Sequence, residues 1–395
     1  MNRDKILVIN CGTSSIKFTL FSDPNLEAIL DGELCELFTE NCRLKIKNDD
    51  SFLSIPDLKT YSQGVEIVFQ QMEKRHFKIN EIKKVGHRIV HGADLFQHPV
   101  KIDQHVLDQL KDISELAPLH NPPSLEAIES IGKFLGENVS QYAVFDTTFH
   151  LNKKLEASLY AIPYELSEKY RIKRYGFHGI SHQHMWNSFV QINPLEHQNK
   201  KIITLHLGSG SSLAAVSKGV SVDTTMGFTP LEGVMMGKRS GSIDPTIVTF
   251  LAEKENKEPQ KILEILNEQS GLLGVSAQSS DMKVLLSLQN SNSKAKIAVN
   301  MYIYQIVKAI GSMSAALEGF DAIIFSGGIG ENARFIRDKI IHHLKWLDVH
   351  LDHEANNSKN GFIDGVKLIS EKHSKAKIYI VKADENLEIA KHILA

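Results

Sequence analysis

Two short turns in the sequence combine glycine with clusters of Ser and Thr hydroxyls. The first, CGTSS, follows the apolar segment ILVIN and leads into IKFTL, which carries Lys17. The second, GSGSS, lies between KIITLHL and LAAVSKG. Hydroxyls and backbone N–H groups bind phosphate oxygens, and an adjacent lysine neutralises their charge. Each turn alone is explained as well by ordinary tight-turn chemistry.

A third glycine-rich segment, GGIGEN from Gly327, follows the apolar run DAIIF and precedes a helical pattern. Such a loop points backbone N–H groups and the positive end of a helix at an anion. The three segments together favour a nucleotide site. The site is not a P-loop, because GVMMGKRS has three residues between its glycines where four are needed and Arg239 where Ser or Thr is needed. No G-x-G-x-x-G follows a strand, which removes a Rossmann dinucleotide site.

Phosphoryl transfer also needs cations that neutralise the moving group. The sequence offers Arg88 in GHRIVHG, His178 in RYGFHGISHQH and Arg239 in GKRSGSIDP, each among glycines where a side chain can project from a loop. An arginine in a loop is more often solvated or ion-paired, so each is weak evidence alone. His178, His182 and His184 could also bind zinc, but no Cys or carboxylate at suitable spacing completes the set.

Asp146 ends the apolar segment QYAVF. Acidic side chains in this position often meet substrate in open α/β sheets. The alternative is that Asp146 caps the following TTFH turn.

The elements that must position these residues form two halves. Residues 5–47 are predicted to form four strands, followed by helices at 62–75, 103–116 and 121–136 and the strand QYAVFD. The second half opens again with strand, small-residue turn and strand, and includes a helix at 294–318. The repeated opening predicts a duplication, with two unrelated hairpins as the alternative. The tail ADENLEIAKHILA is predicted to be a helix capped by Asp384.

The composition bounds the class of protein. The chain has 395 residues, of which 42% are hydrophobic and 23% charged, enough for two domains with a cleft between them. A net charge of -2 without basic blocks argues against nucleic acid as a partner. Cys11, Cys35 and Cys42 lack metal spacing and indicate reduced thiols. No apolar run approaches the ~20 residues of a membrane helix. We therefore expect a cytoplasmic protein.

Ten motifs, in this order along nearly the whole chain, resemble the acetokinase family, the acetate, propionate and butyrate kinases of the actin, hexokinase and Hsp70 superfamily. They are VINCGTSSIKF, GHRIVHG, LAPLHNPPS, VFDTTFH, RYGFHGISH, HLGSGSSLAAV, MGFTPLEGVMMGKRSGSIDP, SSDMK, GGIGEN and ADENLEIA. The resemblance implies an α/β, duplicated RNase H-like (actin-like ATPase) fold, with two mixed five-stranded sheets flanked by helices and ATP in a central cleft. The expected domains are 1–148 plus 384–395, with a returning C-terminal helix, and 149–383. A homodimer is also implied.

The resemblance assigns site residues by position. It implies that Asp146, His178 and Arg239 are catalytic, and that Asn10 and Glu385 hold Mg²⁺, with Mn²⁺ as a substitute. Arg88 resembles the contact for the substrate carboxylate. The wall of an apolar substrate pocket would include Val90, Leu119, Phe177 and Pro230. The nucleotide ligands would be Lys17, His206, Leu207, Gly208, Ser209, Gly210, Asp281, Met282, Lys283, Gly328, Ile329, Gly330, Glu331 and Asn332.

The implied reaction is the reversible, Mg-dependent transfer of a phosphoryl group from ATP to acetate, giving acetyl phosphate and ADP. Propionate is the alternative substrate, and a non-enzymatic, actin-like assembly protein is the alternative class. Acetate is already ionised at neutral pH, so Asp146 is expected to position Arg88, His178 or a water rather than act as a base. Lys283 stands where the family typically has Arg, which removes the planar fork that holds phosphate or stacks on a ring.

Overall fold

The computed structural model describes residues 4–49, 51–118, 120–136 and 138–394. The chain divides into two compact units. The first contains the residues up to Thr148 together with those from Asp384 onward, and the second is Phe149–Ala383. Among the described helices, none has the length and apolar character required to cross a bilayer.

The first unit is built on an eight-stranded mixed sheet in the order β5-β4-β3-β2-β1-β6-β8-β7. Strand β1 is antiparallel to β2 and parallel to β6, which in turn is parallel to β8. The strands are β1 Lys5–Cys11, β2 Ser15–Ser22, β3 Ala28–Cys35, β4 Arg43–Ile46, β5 Phe52–Ser54, β6 Ile82–Ile89, β7 Val100–Lys101 and β8 Ser140–Phe145. The helices are α1 Tyr61–Lys74, α2 Gln104–Asp112, α3 Asn121–Leu135 and α16 Glu385–Leu394.

The second unit is built on a six-stranded mixed sheet in the order β11-β10-β9-β12-β14-β13. Its strands are β9 Lys201–Leu207, β10 Ser211–Ser217, β11 Val220–Thr224, β12 Ala322–Ser326, β13 Val366–Leu368 and β14 Lys377–Val381. Its helices are α4 Leu155–Ser158, α5 Tyr164–Tyr170, α6 Gly179–Ile192, α7 Pro194–His197, α8 Thr246–Glu255, α9 Pro259–Glu268, α10 Gly271–Ser276, α11 Met282–Leu288, α12 Ser293–Ala316, α13 Gly327–Asn332, α14 Arg334–His342 and α15 His353–Asn357. Short 3₁₀ helices occupy Ile79–Glu81, Ile113–Leu116, Thr148–His150 and Lys345–Leu347.

The two sheets share one topology, which confirms the predicted duplication. In each, three antiparallel strands (β3-β2-β1 and β11-β10-β9) continue into two parallel strands (β6-β8 and β12-β14). The central strands β1 and β9 have the same succession of buried and half-buried positions. The expectation of five strands per sheet is wrong in number, because β4, β5 and β7 extend the first sheet and β13 extends the second at their edges.

The hydrophobic core of each unit lies on its sheet. In the first unit, apolar side chains of β1 and β2 pack with α1 and α3. In the second, β9 and β12 pack with α12, whose buried residues recur at helical spacing. Burial of the apolar face of an amphipathic helix such as α12 is the main source of its stability. The cores therefore hold rigid the strand ends and turns on which the proposed site residues lie.

The predicted elements are largely present. The helices predicted at 62–75 and 294–318 are α1 and α12, and the helix predicted from residue 121 is α3, which has proline in its first turn. Asp384 caps the last helix as predicted, because its Oδ1 accepts a hydrogen bond from the backbone N–H of Leu387 at 2.9 Å.

Two local expectations are wrong. Arg88 lies near the end of strand β6 and not in a loop, because the parallel pairing of β6 with β8 continues through it, with Arg88 opposite Val144. The segment GGIGEN is the short helix α13 and not a loop. It starts from Gly327 with φ of 80°, where a Cβ would lie 2.7 Å from the carbonyl oxygen of Leu207, so only glycine fits.

Candidate active site

Arg88 and Asp146 form a bidentate ion pair in the first unit. The guanidinium donates from Nε to Oδ1 of Asp146 at 3.0 Å and from Nη2 to Oδ2 at 2.6 Å. The parallel pairing of β6 with β8 produces this contact, since it aligns Ile89 with Phe145 and places Asp146 one residue beyond the strand end. Asp146 is 1% exposed, so its charge depends on this partner.

Glu385, the first residue of α16, completes the surroundings of Arg88. Its Oε2 lies 3.0 Å from Nη1 of Arg88. Burial alone would lower the pKa of Arg88, but the charges of Asp146 and Glu385 outweigh it and raise the pKa further above its ordinary value. The guanidinium is thus permanently charged and held in one orientation. Because Nε and Nη2 already face Asp146 and Nη1 faces Glu385, a substrate carboxylate or phosphate would meet the second N–H of Nη1 or Nη2.

Asn10 and Lys17 lie opposite each other on β1 and β2. The Nζ atom of Lys17 is 3.9 Å from Glu33, and its side chain is exposed. Helix α16, which begins with Glu385, packs against β1. Among the described residues no group of three or more His, Cys, Asp or Glu side chains is arranged to hold a metal. Mg²⁺ needs fewer, because it keeps several waters and binds through one or two carboxylates plus substrate phosphates. The amide of Asn10 and the carboxylate of Glu385 carry oxygen donors of the kind that such an ion binds, and Oε2 of Glu385 also lies 3.0 Å from Nη1 of Arg88.

His178 and Arg239 come together at the second Ser/Thr turn, in the second unit. A Cβ built on Gly210 would lie 3.1 Å from Nε2 of His178 and 3.6 Å from Nη1 of Arg239. The Arg239 segment is tied to this turn, because the backbone N–H of Gly237 donates to the carbonyl of Ser209 at 3.0 Å. Glycine at position 210 therefore leaves room for two basic side chains beside a turn rich in backbone N–H groups.

The ring of His178 has defined neighbours. Residue 178 has a left-handed backbone, with φ of 57°, and precedes the first turn of α6. Its ring centroid lies 4.3 Å from that of His206, whose Nδ1 is 2.7 Å from the hydroxyl of Ser181. Its Nδ1 is 2.9 Å from the hydroxyl of Ser212.

A cavity of about 770 Å³ lies in the second unit at the predicted nucleotide segments. From the predicted set it is lined by Gly208, Ser209, Asp281, Met282, Lys283, Gly328, Ile329 and Asn332, to which the structure adds Ser280, Leu286 and Ala333. The side chain of Leu207 is fully buried in the core, so only its backbone could meet a ligand. Asp281 caps α11 by accepting from the N–H of Lys283 at 2.8 Å.

Glu331 and Arg337 anchor α13. The carboxylate of Glu331 accepts from the backbone N–H of Ala383 at 3.0 Å, and burial raises its pKa despite this hydrogen bond. Arg337 is buried and donates from Nη1 to the carbonyls of Gly330 and Glu331, both at 2.8 Å, and from Nε to Asn356 at 2.7 Å. Burial lowers the pKa of Arg337 to about 10. Arg337 was not predicted from the sequence, although its position five residues after GGIGEN was a usable signal.

The residues predicted for the apolar substrate pocket are distributed over both units. Val90 follows β6 in the first unit and is half-buried. Leu119 lies outside the described residues. In the second unit Phe177 is buried, with its carbonyl 3.1 Å from Nε2 of His150, and the carbonyl of Pro230 accepts from Arg239 at 3.4 Å. Their shared role stays a prediction.

The comparisons with known proteins agree with one another. The model of the acetokinase family matches residues 5–391. The acetate kinase of Pseudothermotoga lettingae is 41% identical over 98% of this chain and 96% of its own, and that of Helicobacter hepaticus is 40% identical over 98% and 97%.

Solved structures show the same relationship. A propionate kinase from Francisella tularensis superposes with a TM-score of 0.91 at 35% identity, and the acetate kinase of Porphyromonas gingivalis with 0.89 at 35%, each over 98% of both chains. With the fold, the motifs and these relatives in agreement, the chain belongs to the acetokinase family.

Proposed function

We propose that the protein is an acetate kinase, which transfers the γ-phosphoryl group of ATP to acetate reversibly and gives acetyl phosphate and ADP. The observation that carries this proposal is the fixed Arg88 fork, held by Asp146 and Glu385. Catalysts of simple phosphate hydrolysis have no need of a second oriented anion contact. A carboxylate acceptor does need one, because it must be held against the repulsion of the phosphates.

The acetate oxygen is the nucleophile in this proposal. It forms a bond to the γ-phosphorus while the bond from phosphorus to the β,γ-bridging oxygen breaks and ADP leaves with that electron pair. No proton has to be removed, since the carboxylate is ionised at neutral pH. Asp146 thus acts by orienting Arg88, which is the first of the roles expected for it from the sequence.

His178 and Arg239 are proposed to balance the charge of the transferring group. Two anions react, and the negative charge spread over the phosphoryl oxygens is the main obstacle. Cationic side chains preorganised beside the Gly208–Gly210 turn would lower this barrier without further rearrangement. The cavity lined by Lys283 and Ile329 is the proposed site of the nucleotide.

Asn10 and Glu385 are the residues proposed to hold Mg²⁺, or Mn²⁺ in its place. When bound with ATP, the ion would neutralise phosphate charge. We further propose, from the family resemblance, that the protein works in the cytoplasm and forms a homodimer. Analytical ultracentrifugation would test the homodimer, and cell fractionation would test the location.

An assay that traps the acyl phosphate product tests the proposal. The protein is incubated with ATP, Mg²⁺ and acetate, propionate or butyrate in parallel, and acyl phosphate is trapped as hydroxamate. We expect the highest kcat/KM with acetate. One extra methylene is worth only about 1–3 kcal/mol of discrimination, so propionate should be a slower substrate.

Two alternatives give different results. A higher kcat/KM for propionate would make the protein a propionate kinase, which the similarity to the Francisella tularensis protein keeps open. No acyl phosphate with any of the three acids, together with nucleotide-dependent assembly, would favour an actin-like assembly protein. Such a protein would have no reason to place His178 and Arg239 beside the same turn.

A further inference from the structure

A buried chain of hydrogen bonds runs from His178 into the core of the second unit. Nδ1 of His178 lies 2.9 Å from the hydroxyl of Ser212, which lies 2.8 Å from Nε2 of His182. Nδ1 of His182 lies 2.7 Å from the hydroxyl of Thr204, and this hydroxyl donates to the carbonyl of Ala214 at 3.4 Å. Ser212, His182 and Thr204 are all fully buried. We call these three residues the relay.

The hydrogen bond at Thr204, the end of the relay far from His178, determines which atom donates in each of the other hydrogen bonds. A carbonyl oxygen only accepts hydrogen bonds, so the 3.4 Å contact with Ala214 is made when the single hydrogen of the Thr204 hydroxyl points to that carbonyl. The opposite direction has this hydrogen on the 2.7 Å contact with Nδ1 of His182, and the tautomer measurement below distinguishes the two. The first direction has the following consequences. Thr204 must then accept from Nδ1–H of His182. Neutral His182 has no second hydrogen, so its Nε2 accepts from the Ser212 hydroxyl. Ser212 in turn has only its oxygen left for His178, which must donate from Nδ1–H.

The direction holds only while His182 stays neutral, since a protonated ring would donate at both nitrogens. Burial lowers the pKa of His182 well below its ordinary value, and the neighbouring His150 and His206 act in the same direction. The titratable and charged groups around the relay are Arg239 and His206, next to His178, and His150, whose ring centroid is 5.6 Å from that of His182.

We propose that the relay is a positioning device that keeps hydrogen on Nδ1 of His178, so that Nε2, beside Gly210 and Arg239, carries a hydrogen only in the imidazolium form. The inference rests on the proposed function, in which His178 faces a phosphoryl group. Neutral His178 presents a lone pair to phosphate oxygens, whereas the imidazolium donates a charge-assisted hydrogen bond. Phosphoryl transfer then requires protonated His178, and kcat declines as pH rises through the titration of this ring.

A matched pair of variants at Thr204 separates the relay from packing. Thr204→Val keeps the shape of the side chain and removes the hydroxyl, whereas Thr204→Ser keeps the hydroxyl and removes the methyl group. We expect Thr204→Val to lower kcat at pH 6 by about 10- to 10²-fold, as for other losses of alignment, with KM for ATP and acetate nearly unchanged. Thr204→Ser should keep most of the activity.

The pH profile gives a signature that a purely structural role would not. Without the relay, neutral His178 is free to adopt the tautomer with hydrogen on Nε2, so the ratio of wild-type to Thr204→Val kcat should shrink between pH 6 and 9. Thr224→Val is the control, because it makes the same replacement at an equally buried threonine on β11, whose hydroxyl donates to the carbonyl of Leu213 at 2.9 Å. It should leave the pH profile as in the wild type.

Imidazole ¹⁵N NMR of the full-length protein reads the tautomer directly, with the His178 signals assigned by comparison with His178→Gln. We expect hydrogen on Nδ1 of neutral His178 in the wild type and a mixed tautomer in Thr204→Val. Hydrogen on Nε2 in the wild type, or an unchanged tautomer and pH profile in a folded Thr204→Val, would overturn the inference. If Thr204→Val does not fold, the wild-type tautomer and Ser212→Ala decide. Absence of acyl phosphate with the wild-type protein refutes the proposed function instead, and the tautomer remains measurable.

Discussion

Arg88 shows how a single residue combines binding and structure. Replacement by lysine keeps the charge but loses the fork that meets both oxygens of Asp146. We expect Arg88→Lys to raise KM for acetate about tenfold or more, in line with the 1.5–3 kcal/mol of a hydrogen bond to a charged group, with a smaller change in KM for ATP. Steady-state kinetics at saturating ATP measures this effect.

Arg88→Ala should raise KM for acetate further and should also lower thermal stability. It removes the guanidinium that balances the charge of the buried Asp146 carboxylate, and breaking a buried pair in this way costs about 3–5 kcal/mol. Arg88→Ala,Asp146→Asn removes that charge and should recover part of the stability but not the affinity. An unchanged KM for acetate in either Arg88 variant would contradict its role as the carboxylate contact.

Arg239 acts through its charge beside the Gly208–Gly210 turn. We expect Arg239→Ala to lower kcat about 10²–10³-fold with little change in either KM, because the interaction is stronger in the transition state than in the ground state. Lys238→Ala is the matched control, since it removes an exposed positive charge one residue away and should leave kcat unchanged. Full kcat in Arg239→Ala would mean that the residue does not stabilise the reacting group.

At the scale of elements, α13 depends on groups outside itself. The helix has only six residues, too few to be stable alone, and Arg337 from α14 holds its carboxyl end through the carbonyls of Gly330 and Glu331. We expect Arg337→Met to raise KM for ATP several-fold, to leave KM for acetate unchanged and to lower the melting temperature. The buried carbonyls and Asn356 lose their donors, at about 1–3 kcal/mol.

Arg334→Met is the control for α14, because it makes the same replacement at an exposed position three residues earlier. It should behave as the wild type in both assays. If Arg337→Met loses stability but keeps its KM for ATP, Arg337 supports the fold and not the nucleotide segment.

For the whole molecule, buried histidines predict acid destabilisation. Burial lowers the pKa to about 4 for His87 and His91 and to about 3 for His150. In the unfolded chain these rings take up protons near pH 6.5. Between pH 6.5 and about 4 the unfolded state therefore binds more protons. The contribution of these neutral rings to the free energy of unfolding is complete above pH 6.5. It falls as the pH decreases through the window, by up to about 1.4 kcal/mol per pH unit for each ring.

Thermal unfolding between pH 5 and 8 measures this dependence. His87→Gln, which can still bond to Gln141, should make the fall in melting temperature below pH 6.5 less steep. His343→Gln, at an exposed ring, is the control and should leave the slope unchanged. Equal slopes in the wild type and His87→Gln would contradict a neutral, buried His87.

The sequence by itself determined the strands, the long helices, the duplication and most residues of the proposed site. Local sequence patterns predict these features, because strand alternation, helix caps and Ser/Thr turns depend on residues only a few positions apart. Asp146 could be placed at a strand end from QYAVF alone. The motifs that resemble the acetokinase family are also short and continuous.

Only the tertiary structure decided which side chains meet. Asp146 reaches Arg88 because parallel pairing places the ends of β6 and β8 side by side, 58 residues apart in the chain. His178 meets Ser212 and, through it, His182 because α6 packs on β9 next to β10. Hydrogen-bond partners and pKa values depend on strand order and burial, which no local pattern contains. The relay behind His178 and the Arg337 anchor therefore became visible only in the folded chain.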